Sequence, residues 1–342
     1  MEYLEANNFL KDQKRIPIID VRSPSEYSNG HITGSINLPL FSDEERASVG
    51  TVYKKSGRED AIEMGLEFVG PKLKALSGKG KNLAFQNQLK IYCWRGGMRS
   101  EKMAWLFELL GIRCYVLKGG IKAYRQQLLK DFENIRKLVI LQGSTGTGKS
   151  EILRNMEKMG EQVIDLEKFA HHRGSAFGDI GFGEQPTSQQ FQNNLHHVLI
   201  QLDPDKRIWV ESESLTIGKV YLPETLWEKM NHTTIVELEI PHEKRIGRLV
   251  EEYGAFEKDV LIRATRKIQK RFGGNNVKKV IGFIESGELY QAADSLLRYY
   301  DKSYVFSQTK YKDLEPVKIK SESGDAFENA RIIINRVNEL SI

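Results

Sequence analysis

Short apolar runs alternate with amphipathic stretches along the chain. In the first third, Ile16 to Val21 (IPIIDV), Leu89 to Cys93 (LKIYC) and Cys114 to Leu117 (CYVL) have the length and largely apolar character of buried strands. Between the last two, Ser100 to Leu110 (SEKMAWLFELL) repeats apolar residues at Met103, Ala104, Phe107 and Leu110, the spacing of one helix face. A new series starts at Leu138 to Leu141. Strands are expected there and at Gln162 to Leu166, Arg207 to Val210, Thr233 to Ile240 and Ser303 to Phe306. Helices are expected at Ser188 to Leu199, His242 to Tyr253, Phe256 to Arg271 and Gly287 to Tyr299. Strands alternating with helices predict an α/β fold with a parallel sheet in each part.

The polar segment Lys130 to Lys137 (KDFENIRK) marks a boundary between a first domain, 1–130, and a second, 137–342, which ends in a helical, basic region. The charged, glycine-spaced stretch 41–88, with helix-like pieces such as Arg58 to Phe68, reads as an insertion between two strands of the first sheet. With 342 residues, both domains have room for a core. A mixture of 40% hydrophobic and 28% charged residues is globular, which argues against a disordered or membrane protein. The formal charge of +5 permits a polyanionic partner without requiring one. MEYLEANNFLKDQKR has no apolar leader, and no run is long enough to span a bilayer, so no membrane partner is expected. Cys93 and Cys114 form neither a disulfide framework nor a CxxC pair. The expected setting is a reducing cytoplasm.

The run Cys93-Trp94-Arg95-Gly96-Gly97-Met98-Arg99-Ser100 leaves a strand and enters a helix. Backbone N–H groups in such a loop turn inward and, with the positive end of the helix, make an anion cradle. Gly96 and Gly97 let the backbone close on the anion, and Arg95 and Arg99 add charge. A thiol placed there is expected to ionise readily and act as a nucleophile. Cys114 stands in a strand without glycine or cation beside it and reads as core. The segments Asp20-Val21-Arg22-Ser23-Pro24-Ser25-Glu26-Tyr27 and Gly30-His31-Ile32-Thr33-Gly34-Ser35-Ile36-Asn37-Leu38-Pro39 resemble the N-terminal signature of the rhodanese family. That resemblance covers about the first 130 residues minus the insertion. It implies a cysteine that carries sulfur or selenium, with Asp20, Arg22, His31 and Gly34 supporting fold and loop. Cys93 to Arg99 is one residue longer than the loop of many sulfur-transfer rhodaneses. It has the Cys-x5-Arg length of related phosphatases, which suits a phosphate-bearing donor. No helpful acid is identifiable nearby, so phosphatase activity is the lesser reading.

Gly143-Ser144-Thr145-Gly146-Thr147-Gly148-Lys149-Ser150 matches GxxxxGK[ST] and follows the strand-like KLVILQ. Its N–H groups are expected to hold a diphosphate that Lys149 neutralises, while Ser150 can ligate Mg²⁺. Asp165 and Glu211, each after an apolar run, are candidates for a second group on the metal side. ATP is the ordinary ligand of such a loop, but the cradle reads phosphate and not the remainder, so an allylic diphosphate satisfies the same donors. In His171-His172-Arg173-Gly174-Ser175-Ala176-Phe177-Gly178, two histidines without a cysteine or acid at ligand spacing make a poor metal site. A loop over the P-loop ligand, with Arg173 reaching phosphate, fits better. Between Leu261 and Val280 there are seven basic residues and no acid. Arg263, Arg266, Lys267, Lys270 and Arg271 fall on one helical face, a candidate contact for an RNA backbone or else a solvated surface.

Taken together, CWRGGMRS, GSTGTGKS, IDLEKFAHHRGSAFG, WVESES and RFGG resemble the tRNA 2-selenouridine synthase family over nearly the whole length. The resemblance implies an enzyme acting on the wobble uridine of certain tRNAs. Geranyl diphosphate would S-geranylate 2-thiouridine, and selenium from selenophosphate would then replace the geranylthio group. Cys93 would carry selenium as S-selanylcysteine, a selenophosphate-producing enzyme would supply the donor, and no cofactor would be tightly bound. The rival reading is a sulfurtransferase fused to an ATP-dependent small-molecule kinase.

Overall fold

The computed structural model describes residues 1–11, 15–308 and 315–342, with side chains for all of these but 303–308. The chain divides into two compact units, Met1–Asp131 and Phe132–Ile342. No loop spans the polar segment at 130–137 in full, because the helix Gly120–Glu133 runs into it, shortly before the strand Leu138–Gln142. Tyr124, Leu128 and Phe132 recur every fourth residue and are buried, so a narrow apolar stripe keeps this charged sequence helical.

In the first unit five parallel strands lie in the order Glu2–Leu4, Arg113–Leu117, Gln88–Tyr92, Ile18–Asp20, Ile36–Asn37. The strand leading to Cys93 is therefore central, and Leu89, Ile91 and Tyr92 are fully buried. The insertion is helical: Asp43–Lys55, Arg58–Val69 and Leu73–Leu83. Leu76 and Phe41 join the core with Phe107. Gly80 is held so close that a Cβ there would meet the Phe107 ring at 2.2 Å. The glycine thus lets the last insertion helix seat on Met98–Glu108, the helix that follows the cysteine loop.

The second unit has the parallel order Val317–Lys320, Thr234–Glu239, Leu138–Gln142, Ile208–Glu211, Gln162–Val163. Leu138–Gln142 is central and buried throughout, as befits the middle of a parallel sheet. Three expectations change here. The strand beginning at Gln162 ends at Val163, because the Asp165 side chain accepts from Lys168 N at 2.8 Å and caps the helix Leu166–Ala170. Ser303 to Phe306 is not a strand but continues the helix Leu289–Gln308. Phe256 to Arg271 forms two helices, Lys258–Lys267 and Gln269–Phe272, which meet at Ile268. Elements not anticipated include Glu224–Met230, Gly274–Ser286, the edge strand Val317–Lys320 and the helix Ala326–Glu339. The last buries Ala326, Ala330, Ile333 and Val337 in the same core as Ile152, Leu153 and Met156 of the helix after the P-loop.

Candidate active sites

Cys93 lies at the floor of its loop and is only 3% exposed. Ser100 Oγ donates to Cys93 Sγ at 3.2 Å and to Gly97 O at 3.0 Å, tying the first helical turn to the sulfur. Arg95 is exposed, whereas the Arg99 guanidinium is engaged by Glu26, Nη1 to Oε2 at 2.5 Å and Nη2 to Oε1 at 3.3 Å. Burial pushes the Glu26 carboxyl up, but Arg99, the Ser23 N–H and Arg46 together hold it below the usual range. Arg99 must therefore exchange a carboxylate for any anion entering the loop. Cys114 is buried and its thiol is pushed up to about 12 by that burial, as suits a core residue.

The loop is buttressed from outside by Gly119 and Gly120, which follow the strand Arg113–Leu117. Ile121 N donates to Cys93 O at 2.9 Å. Gly96 sits at φ +66°, and a Cβ there would stand 2.4 Å from Leu117 O and 2.8 Å from Gly119 N. The Asp20–Arg22 pair, with neither side chain exposed, closes at 2.6 Å, and Arg22 also donates to Gly30 O at 2.7 Å. Its guanidinium lies over the Tyr92 and Trp94 rings, at 5.6 and 5.9 Å from their centroids. His31 stacks on Tyr27 with ring centroids 3.7 Å apart.

In the P-loop, Gly146 and Gly148 hold φ of +82° and +81°. Such left-handed turns aim successive N–H groups inward. Lys149 Nζ donates to Gly143 O at 3.0 Å and Thr147 Oγ1 to Ser144 O at 2.9 Å. A cleft of about 290 Å³ opens over the loop, lined by Lys149, Ser150, Glu167, Arg173, Glu213 and Arg248 among others. Arg173 thus borders the cleft, yet its guanidinium pairs with Glu252 at 2.9 Å and donates to Ile180 O at 2.8 Å. Arg248 packs beside Gly148, pairs with Glu151 and donates to Gly324 O at 2.7 Å.

The acid against the Ser150 hydroxyl is Glu167, which accepts its hydrogen bond. Asp165 is used as a helix cap, and Glu211 is fully buried, with Oε1 accepting from Glu167 N at 2.6 Å. Glu211 Oε2 is buried without a hydrogen-bond partner among the described residues. Burial and the charges of Asp165 and Glu167 push Glu211 well above the usual carboxylate range. Glu213 rises to about 8, through burial first and Glu167 second, with Lys149 opposing. Ser150 and Glu167, in contact on the wall of the cleft, fit a cation that a bound phosphate would share; among the described residues no three acids, histidines or cysteines gather to hold one alone. Glu167 and Glu213 were missed as site residues, although IDLEKF and WVESES placed acids just beyond two strand ends.

Arg263, Arg266, Lys267, Lys270 and Arg271 are all exposed, the first three on the helix Lys258–Lys267 and the last two on Gln269–Phe272. Lys267 is bonded to Asp179 at 2.7 Å. No helix among the described residues is long and apolar enough to cross a membrane.

The fold and the two loops define a class: a rhodanese-like unit followed by a P-loop unit, each presenting an anion cradle between a central strand and a helix. Residues 3–127 match the rhodanese-like domain, and 136–329 match the AAA domain of tRNA 2-selenouridine synthase. The tRNA 2-selenouridine synthase of Bdellovibrio bacteriovorus is 34% identical over 81% of this chain and 82% of its own length. That of a Sulfurovum species is 36% identical over 87% and 86%, respectively. The chain belongs to the tRNA 2-selenouridine synthase family.

Proposed function

We propose that this chain converts wobble 2-thiouridine of certain tRNAs to 2-selenouridine through an S-geranyl intermediate, in the cytoplasm. The observation that carries the reading is the presence in one polypeptide of a cysteine-floored anion loop and a P-loop cradle. In the first step the P-loop holds geranyl diphosphate. The thiocarbonyl sulfur of the base attacks C1 of the geranyl group, the C–O bond breaks, diphosphate leaves with the electron pair, and the N3 proton passes to solvent. Lys149, released from the Gly143 carbonyl, and the loop N–H groups stabilise the charge that builds on the leaving group. Mg²⁺ held by Ser150 and Glu167, with Glu211 and Glu213 behind them, would add charge neutralisation when bound.

S-alkylation makes sulfur a good leaving group and leaves C2 electrophilic. The Cys93 loop then holds selenophosphate, supplied by a selenophosphate-producing enzyme. Selenium adds to C2, the geranylthio group departs as its thiol, and water splits the P–Se bond to give phosphate. Storage of selenium on Cys93 as S-selanylcysteine, with phosphate departing, takes an electron pair from the donor and returns it at delivery. That form therefore needs a thiol–disulfide couple alongside. The basic residues Arg263, Arg266, Lys267, Lys270 and Arg271 face the tRNA backbone.

Mass spectrometry of wobble nucleosides, after thiolated tRNA is incubated with both donors, tests the scheme. Cys93→Ala is expected to stop at geranylated tRNA, and Lys149→Ala before it. Equal loss of geranylation in Cys93→Ala refutes the division of labour. ATP turnover with unchanged tRNA would favour a sulfurtransferase fused to a small-molecule kinase.

A further inference from the structure

Beside the P-loop cleft lies a second cavity, of about 80 Å³, whose wall is mainly hydrocarbon: Phe177, Leu249, Leu261, Ile284, Leu296 and Leu297 contribute to it. The side-chain polar atoms on that wall belong to Thr145, Ser175, Tyr253 and Tyr300, and all four of these residues also line the P-loop cleft. The polar groups are therefore gathered at a mouth shared with the phosphate cradle, and the rest of the cavity is apolar. Tyr300 Oη is buried at this mouth, next to Ser175 and the Ala176 backbone. Small residues keep the space open, since Ala292, Ala293 and Gly254 stand on the wall.

A nucleoside is a poor occupant, because its base and ribose would bring hydrogen-bonding groups to a surface that cannot answer them. A hydrocarbon tail loses nothing there and gains the contacts an empty apolar cavity lacks. We infer that this cavity receives the outer isoprene unit of a prenyl diphosphate whose diphosphate lies in the P-loop. The inference rests on the proposed reading of the P-loop ligand. A cavity of about 80 Å³ holds on the order of half a dozen water-sized groups, the bulk of one five-carbon unit. The inner unit then lies in the cleft, where the base must reach C1, and the wall selects two units in total.

Calorimetric titration of the full chain, in Mg²⁺ buffer, with inorganic pyrophosphate, dimethylallyl diphosphate and geranyl diphosphate tests this. Each buried carbon is worth roughly fourfold in affinity, so geranyl diphosphate is expected to bind at least about 30-fold more tightly than dimethylallyl diphosphate. Ala293→Leu, which fills the cavity, should cut that advantage at least about tenfold and leave pyrophosphate affinity unchanged. Leu296→Ala, which enlarges it, should move the preference toward the fifteen-carbon farnesyl diphosphate. If wild type binds geranyl diphosphate no better than pyrophosphate, the prenyl-donor reading itself falls. If wild type prefers geranyl diphosphate and Ala293→Leu keeps the full preference, only the cavity assignment is overturned. Should Ala293→Leu also lose pyrophosphate, Leu296→Ala decides, and an unchanged chain-length order overturns the assignment.

Discussion

Gly120→Ala is expected to disable the cysteine loop without adding or removing any polar group. Gly120 holds φ +60°, and a Cβ there would stand 2.4 Å from Cys93 O, 2.6 Å from Gly96 N and 2.7 Å from Arg95 N. All three are backbone atoms of the loop, so no side-chain rotation relieves the overlap. The left-handed conformation costs alanine about 1 kcal/mol. Shifting the loop and weakening the bond from Ile121 N to Cys93 O adds about 1–3 kcal/mol, for a total of about 2–4 kcal/mol. For a unit of this size that lowers Tm by roughly 6–20 °C. Calorimetry reads the shift, and nucleoside mass spectrometry should show selenation lost with geranylation within about twofold of wild type. Gly34→Ala is the control: Gly34 sits at φ +84° with nothing within 4 Å of its Cβ position, so only the conformational term applies. A fall of under about 3 °C in Gly120→Ala with selenation intact would refute the buttress.

Asp20→Asn keeps the shape of the buried pair but leaves Arg22 uncompensated, so unfolding in urea should show a loss of about 3–5 kcal/mol. Glu213, raised to about 8 in the folded chain, is neutral at pH 7 and becomes charged as pH rises through that value. Its contribution to stability is therefore fully present below the unfolded carboxyl range and is lost progressively as pH climbs to about 8. Pyrophosphate affinity without Mg²⁺ should likewise fall between pH 7 and 9, and Glu213→Gln should flatten both profiles; unchanged profiles refute the assignment. Replacing Arg263, Arg266, Lys270 and Arg271 by alanine should weaken tRNA binding and reduce the slope of log K against log salt by about three to four, and an unchanged slope would take these residues out of the interface.

The sequence was most readable where chemistry and backbone geometry coincide. CWRGGMRS and GSTGTGKS fix their own strand–loop–helix context, and the structure places both between a central strand and a helix. Misreadings arose where tertiary packing decides. Tyr304, Val305 and Phe306 carry strand-like side chains, yet Leu296, Leu297 and Tyr300 form a helical stripe just before them, and the helix runs on. Val317–Lys320 is short and alternates lysine with apolar residues, the pattern of a protected edge strand that periodicity alone reads weakly. Glu167 was passed over because the acid two positions earlier ends the apolar run. The turn capped by Asp165 is what carries Glu167 onto Ser150.

Apart from exposed Arg95, the cations beside the two loops are held by oxygen atoms of the protein. Arg99 is on Glu26, Lys149 on the Gly143 carbonyl, Arg248 on Glu151 and the Gly324 carbonyl, and Arg173 on Glu252. Binding is then an exchange of partners, and its net gain is the difference between an internal acceptor and a phosphate oxygen. A carbonyl is the weakest of these competitors, so Lys149 yields first to any diphosphate. Arg99, facing a carboxylate that the Ser23 N–H and Arg46 help keep ionised, yields only to an anion of comparable charge. On this ordering the P-loop accepts a range of diphosphates, and its discrimination must come from what surrounds the loop. At the cysteine loop an incoming anion must instead displace the Glu26 carboxylate from Arg99, so charge at its own rim disfavours a neutral chalcogen compound.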